Sequence, residues 1–395
     1  MITVAPDAPP PASKSSACQP ELLFGRDAVD SVAMANQPNA AYWRFFLEKG
    51  ADAVAPNLTA EPGILGYGSA FVPVTIDRDE RDTSYPCSLY TQYVRYPLGE
   101  MRVLQSAFAR QAARVGLWTL GTVLGCARVD RVVQWNSWLM STNLLPSLSL
   151  QEIKNTTDLL SCRFPEHAIL VKNIHDREDT TLPRKFIEAG YHLIPSRKIY
   201  FFDGETAGFL SKRNVKQDLA ALGKLKEYTP VEHQEFLPED APRILRLYEQ
   251  LYLEKYSRLN PRYSLAFVEN ALKHRFLEFR GLRHTSGRVD AVFACFRREK
   301  VASTPFVGYD TSNRLGHDFY RLLVAMLLKR VAEEGTLLNY SSGAGDFKRR
   351  RGGEGCLEFN ALYTGHLPFS RRLTFSLLGR CLSASVPQLL SSIAV

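Results

Sequence analysis

The succession of hydrophobic patterns between Leu277 and Tyr363 limits what this chain can fold into more than any other feature. Leu277–Arg283, Val289–Arg297 and Ala302–Tyr309 read as three successive strands, the first two joined at Ser286-Gly287. A helix follows over Gly316–Glu333. Its apolar positions Phe319, Leu322, Leu323, Met326, Leu327 and Val331 recur at the helical period, and Gly335 closes it. Leu337–Tyr340 is then a strand, Ala344–Arg350 a short helix and Leu357–Tyr363 a strand. Hairpin-linked strands followed by a crossover helix to a further strand predict an α/β chain with a mixed sheet and helices on both faces. Upstream, Thr229–Glu235 reads as a strand and Ser264–His274 as a helix. Between them, Pro238 and Pro242 open a helix with Ile244, Leu247, Tyr248, Leu251 and Tyr252 on one face.

The first half repeats the alternation. Ala70–Ile76 and Ser88–Tyr96 read as strands, Arg102–Leu124 as a helix, Val132–Met140 as a strand, Leu150–Cys162 as a helix and His167–Asn173 as a strand. Thr181–Ala189 is a short helix with Pro183 in its first turn and Gly190 after its end, followed by strands at Tyr191–Ile194 and Lys198–Phe202. The expected organisation is a disordered leader over 1–20, an N-terminal half over 21–203, a C-terminal half over 224–366 carrying the site, and a helical tail over 367–395. Each half is expected to hold a mostly antiparallel sheet flanked by helices. The 395 residues, 45% of them apolar, suffice for a large buried core and exclude a mostly disordered chain.

Charge is distributed unevenly. Residues 1–100 carry 7 basic and 12 acidic side chains, a net of −5, so residues 101–395 carry +13 and the whole chain +8. That asymmetry suits an anionic partner: a nucleotide cofactor, tRNA, an acidic carrier protein or a membrane surface. No segment reads as a membrane span. The apolar run Val115–Ala127 has 13 residues, where a crossing needs about 20, and the uncharged tail Cys381–Val395 is broken by Pro387. The first 20 residues are rich in Ala, Pro and Ser and lack the basic start and apolar block of a signal peptide. The 7 cysteines are scattered, with no CxxC pair and no Cys/His cluster of zinc spacing. Reduced thiols, a cytoplasmic location and no metal are the expectation.

The segment LNYSSGAGDFKRRRGGEGCLEFNALY, Leu338–Tyr363, resembles the C-terminal signature of the BioF-like and FemABX-like branch of the GNAT N-acyltransferases. PSRKIYFFD, Pro195–Asp203, is similar to the same branch. The resemblance implies two GNAT-like halves in one chain. It also implies an acyl donor on a pantetheine thioester, either acyl-CoA or a phosphopantetheine-linked acyl group on an acidic acyl carrier protein, lodged where the sheet splays. The acceptor is a small amine or amino acid. In the family the donor's pyrophosphate sits on backbone N–H groups at a helix N-terminus, where the dipole favours an anion. Here that loop is Tyr309–Phe319. It reads Arg314-Leu315-Gly316-His317-Asp318, with one glycine where the family pattern has two. Tyr309, Arg314, Gly316, Lys348 and Arg349 are the expected donor-binding residues, Lys348 being the position matched to the family.

Amide formation from a thioester requires a base for the amine proton, a donor for the oxyanion and a proton for the departing thiolate. Glu358, Asp310 and His317 are candidate bases, with Glu358 alternatively a salt-bridge partner of Lys348. Tyr340, like Tyr309 at the end of a strand, is a candidate proton donor. Lys348, Arg349, Arg350 and Arg351 fan around a helix, so one or two of them face a ligand. The polar stretch Glu254–Tyr263 is a candidate acceptor wall. Trp135 and Trp138 are expected on opposite sides of one strand, and His175 in a surface turn. Two other functions fit the same pattern: an aminoacyl-tRNA-dependent Fem-type transferase, and a degenerate GNAT domain that binds without catalysis.

Overall fold

A computed structural model of the chain describes residues 19–34, 39–67, 70–101, 106–312 and 318–392. The elements run β1 (Glu21–Leu23), α1 (Gly25–Met34), α2 (Ala40–Lys49), α3 (Ala51–Val54), β2 (Glu61–Tyr67) and β3 (Ala70–Arg78). After them come α4 (Tyr96–Gly99), α5 (Ala107–Cys126), β4 (Arg131–Trp135), α6 (Leu150–Arg163), β5 (Ala168–Ile174), α7 (Leu182–Glu188) and β6 (His192–Asp203). The second half contains α8 (Arg213–Gly223), β7 (Tyr228–Val231), α9 (Ala241–Glu249), α10 (Leu265–His274), β8 (Glu278–His284), β9 (Val289–Arg298) and β10 (Val301–Tyr309). It closes with α11 (Phe319–Glu334), β11 (Leu337–Asn339), α12 (Gly345–Arg349), β12 (Glu354–Tyr363) and α13 (Phe369–Ser392).

All twelve strands form one mixed sheet in the order β1-β2-β3-β4-β5-β12-β6-β11-β10-β9-β8-β7. The order is nearly palindromic. In each half an antiparallel series ends in a parallel pair, β4 with β5 and β10 with β11, and each pair encloses its crossover helix, α6 or α11. The strand that follows each pair crosses the centre line: β6 pairs with β11, β12 pairs with β5, and β6 and β12 pair with each other. One continuous sheet therefore spans the region expected to separate two halves.

Local chemistry accounts for the helices that were legible. Ser149 and Glu152 form a capping box on α6, Ser264 accepts from the Phe267 N–H at the start of α10, and Asp318 accepts from the Arg321 N–H at the start of α11. Gly335, at φ 61°, ends α11 in the left-handed region. Nine side chains of α11 are buried, so it packs as a core helix. Three expectations give way. Ser88–Tyr96 is not a strand: Thr91–Arg95 is a π-helical turn running into α4. The strand expected over Val132–Met140 stops at Trp135, because Asn136 turns into the left-handed region at φ 57°. Trp138 therefore lies beyond the strand, and both tryptophans are buried. The two strands expected over Tyr191–Phe202 are the single β6, irregular at Pro195–Arg197 opposite Glu358–Phe359.

Candidate active site

β10 and β11 are in register only from Val301 to Ser303, opposite Leu337 to Asn339. Beyond that point β10 runs on to Tyr309 while β11 ends, and the two part. A strand paired on one side leaves alternate N–H and C=O groups facing the gap. A further irregularity between Ser303 and Phe306 marks β10 where it leaves its partner. The gap opens into a cavity of about 610 Å³. Thr304, Val307 and Tyr309 of β10 line it, with Tyr340–Ala344 and Lys348 from the segment after β11.

The floor of the cavity comes from the centre of the sheet, where the ladders are also irregular. Asn173 takes φ 65° opposite the slip between Phe359 and Ala361. Such irregularities re-aim side chains next to sites, and here Lys172, Asn173, Ser196, Arg197, Glu358 and Asn360 all reach the cavity. Two π-helical turns add to the wall: Thr91–Arg95, with Gln92, and Gln250–Tyr256, with Leu251, Tyr252, Lys255 and Tyr256. The expected acceptor wall thus reaches the cavity through Lys255, Tyr256 and Asn260. Seven tyrosines line the space, at positions 85, 96, 252, 256, 309, 320 and 340.

Glu358 sits at the bottom, 1% exposed. Arg197 donates to it from Nε at 2.6 Å and Nη2 at 3.4 Å, and Asn173 Nδ2 donates at 2.9 Å. Its salt-bridge partner is therefore Arg197, not Lys348, and both its oxygens are engaged. Burial opposes the Arg197 cation, but Glu358 outweighs it and holds the guanidinium above the ordinary arginine range. A carboxylate so occupied is a good anchor.

Lys348 is buried, and its ammonium donates to the carbonyls of Tyr340 at 2.6 Å, Ser341 at 3.2 Å and Ser342 at 2.8 Å. Three acceptors take its three protons, so it winds the turn after β11 around itself. Burial, with Arg197 nearby, pulls it down to about 7. Ser341 and Ala344 in that turn have φ of 56° and 47°, strain that the lysine helps to hold. The cations after Lys348 fan out as expected. Arg349 donates to the Tyr200 hydroxyl at 3.0 Å and pairs with Asp346, and Arg350 is exposed. Arg351 is buried on Asp218 at 2.6 Å.

The Tyr340 ring lies 4.5 Å from Lys348 Nζ; burial, and then Tyr320, raise its hydroxyl well above the ordinary tyrosine value. Tyr309 lies at the mouth, where Lys255 Nζ is 3.4 Å from its hydroxyl. Burial, and then Asp318, raise its pKa. Asp310 points elsewhere, into ion pairing with Arg243 at 2.8 Å and a hydrogen bond from Ser312 at 2.6 Å. Burial raises its pKa, but these partners more than offset that and keep it below the carboxylate range. It is not among the residues that line the cavity. Arg314, Gly316 and His317 lie outside the described residues. His175 is buried, not in a surface turn. No group of side chains among the described residues could hold a metal ion.

The residue that sequence reasoning missed is Lys172, in β5. Its buried Nζ donates to the carbonyls of Tyr85 at 2.8 Å and Pro86 at 2.9 Å. Burial pulls it down to about 8. Two carbonyls take two protons, so the third position carries either a proton or, in the neutral amine, the lone pair. The available signal was a single lysine inside the apolar run AILVKNI.

Residues 211–349 match the family model described as Acetyltransferase (GNAT) domain. Among solved structures, L-PGS from Bacillus licheniformis is similar with a TM-score of 0.43 and 16% identity, over 58% of this chain and 78% of that one. FemX is similar with a TM-score of 0.44 and 10% identity, over 57% and 81%. A tandem GNAT protein from the clavulanic acid biosynthesis pathway is similar with a TM-score of 0.38 and 10% identity, over 87% and 98%. No curated protein matches the chain.

Proposed function

We propose the function of this chain from the superfamily to which it belongs, the GNAT acyltransferases: it transfers an acyl group from a pantetheine thioester, on coenzyme A or a carrier protein, to an amine. The observation that carries the reading is the parting of β10 from β11 over a cavity that holds a buried amine, Lys172. An amide-bearing pantetheine arm can lie against the open edge of β10 as an extra strand would, exchanging hydrogen bonds with the free backbone groups. Lys255, at the mouth, meets the anionic end of the donor or the carboxylate of an amino-acid acceptor.

The acceptor amine lies over the floor beside Arg197 and Lys172. Neutral Lys172 takes a proton from the amine as nitrogen attacks the thioester carbonyl carbon. Backbone N–H groups on β10 around Val307–Tyr309 receive the oxyanion. The C–S bond breaks, the amide leaves, and the thiolate is protonated from Lys172 or water. Glu358 and Arg197 act as a positioning pair, and Lys348 shapes the turn that forms one wall. The tyrosine lining suits an acceptor with an apolar body and a polar end.

The test offers the full chain acetyl- and longer acyl-CoAs, an acylated carrier protein and aminoacyl-tRNA, each with a panel of amines, and measures amide product. Thiol release that requires both an acyl-pantetheine and an amine supports the reading. Product from aminoacyl-tRNA alone would assign the Fem-type activity instead.

A further inference from the structure

Two helices stand out from the rest of the surface. α5 is 20 residues long, about 30 Å, yet its buried residues are confined to its C-terminal end, at Gly121, Leu124 and Gly125. Phe108 is 84% exposed and Trp118 71% exposed, with Val115 and Val123 also in the open. On α13, Phe369 is 74% exposed, and Leu373 and Leu377 repeat on the same face at i+4 and i+8. Eleven large apolar side chains are exposed among the described residues, and seven of them lie on these two helices. Single exposed apolar residues are ordinary, but a concentration of this kind marks a contact surface.

The two faces belong to one side of the molecule. Leu124 of α5 and Phe375 and Leu378 of α13 pack into one apolar cluster with Val132, Leu170 and Leu362 of the sheet. Arg371, in the first turn of α13, donates to the carbonyls of Ala127 and Arg128 just past the end of α5. The outward faces therefore point away from the same face of the sheet.

Charge selects the occupant. α5 and α13 together hold five arginines and no Asp or Glu. A second copy of the chain docked face to face would set arginine against arginine with no carboxylate in either segment to neutralise it. An anionic lipid surface supplies both an apolar layer and the counter-charge. No helix among the described residues is long and apolar enough to cross a membrane, so the contact is one of lying on the surface.

We infer that the outward faces of α5 and α13 form a docking surface for an anionic lipid bilayer, with Phe108, Trp118, Phe369 and Leu373 entering the interface and Arg114, Arg372 and Arg380 meeting the headgroups. This goes beyond the acyl-transfer reading and does not depend on it, because none of these residues lines the cavity.

The experiment uses the full chain with vesicles of phosphatidylcholine alone and of phosphatidylcholine with phosphatidylglycerol, read by co-sedimentation and tryptophan emission. Trp43, Trp135 and Trp138 are buried, so a shift on binding reports Trp118. The expected result is a blue shift and a partition into the anionic vesicles at least about ten-fold above that into neutral ones, falling at high salt. Trp118→Ser with Phe369→Ser, and separately Arg114→Gln with Arg372→Gln, each lower the partition by about ten-fold or more at unchanged thermal midpoint. No binding, equal binding to both vesicle types, or a dimer in light scattering that Trp118→Ser dissolves would overturn the inference, the last assigning the face to a second copy.

Discussion

Lys172 is a strand residue whose setting converts an ordinary surface cation into a buried amine. A base is worth about 10²–10⁴-fold in rate, so Lys172→Met, close in volume, is expected to lower kcat/KM by about 100-fold or more. The pH profile separates this from a packing effect. Lys172 accepts a proton only when neutral, so kcat/KM rises with pH up to about 8 and falls about ten-fold per unit below it. That limb is absent in Lys172→Met, and a retained limb would remove the residue from the role. Glu358 makes a different prediction. Its removal takes the carboxylate away from a partly buried Arg197, which keeps the Ser141 carbonyl and the Thr142 hydroxyl, and Glu358→Ala is expected to cost about 1–3 kcal/mol, read as a lower urea midpoint. A small stability change with a large loss of rate would reverse these assignments.

Elements position these residues through irregularities. Gly308 allows α9 to lie directly on β10: a Cβ there would meet the Leu247 carbonyl carbon and Tyr248 nitrogen at 2.6 Å. Gly308→Ala is therefore expected to cost about 1–3 kcal/mol and, by lifting the helix that leads into the π-turn carrying Tyr252 and Lys255, to raise KM for the donor. Unchanged melting and kinetics would show that this close packing does not matter. The regular elements were legible because their patterns are local. α6, α10 and α11 carry apolar periods and side-chain caps, and β8 to β10 are apolar runs bounded by turns. Thr91–Arg95 was misread because Thr, Tyr and Val favour strands, and tertiary packing overrode that preference. The slips in β5, β6 and β12 left no trace in composition, yet they aim Lys172, Arg197 and Glu358 into one space. Glu358 was legible as a carboxylate among apolar neighbours, while its partner was not, since Arg197 reaches it from 161 residues away.

At the scale of the molecule, β6 and β12 are exchanged across the centre of the sheet, a non-local pairing that no linear pattern announces. It makes the two halves interdependent: a fragment ending at Asp203 lacks β12, and its complement lacks β6. The full chain is expected to melt in one transition with equal calorimetric and van't Hoff enthalpies, and neither fragment to fold alone. Two separate transitions would show independent halves. The exchange also assembles the floor of the cavity from both halves, with Lys172 and Arg197 from one and Glu358 from the other. The account turns on that cavity being an acyl-transfer site, and the most direct measurement is thiol release from acyl-pantetheine thioesters, with and without amine, by the wild type and Lys172→Met side by side. Amine-dependent release that Lys172→Met abolishes is the predicted result; release indifferent to the amine or to Lys172, or no release from any acyl-pantetheine, contradicts it.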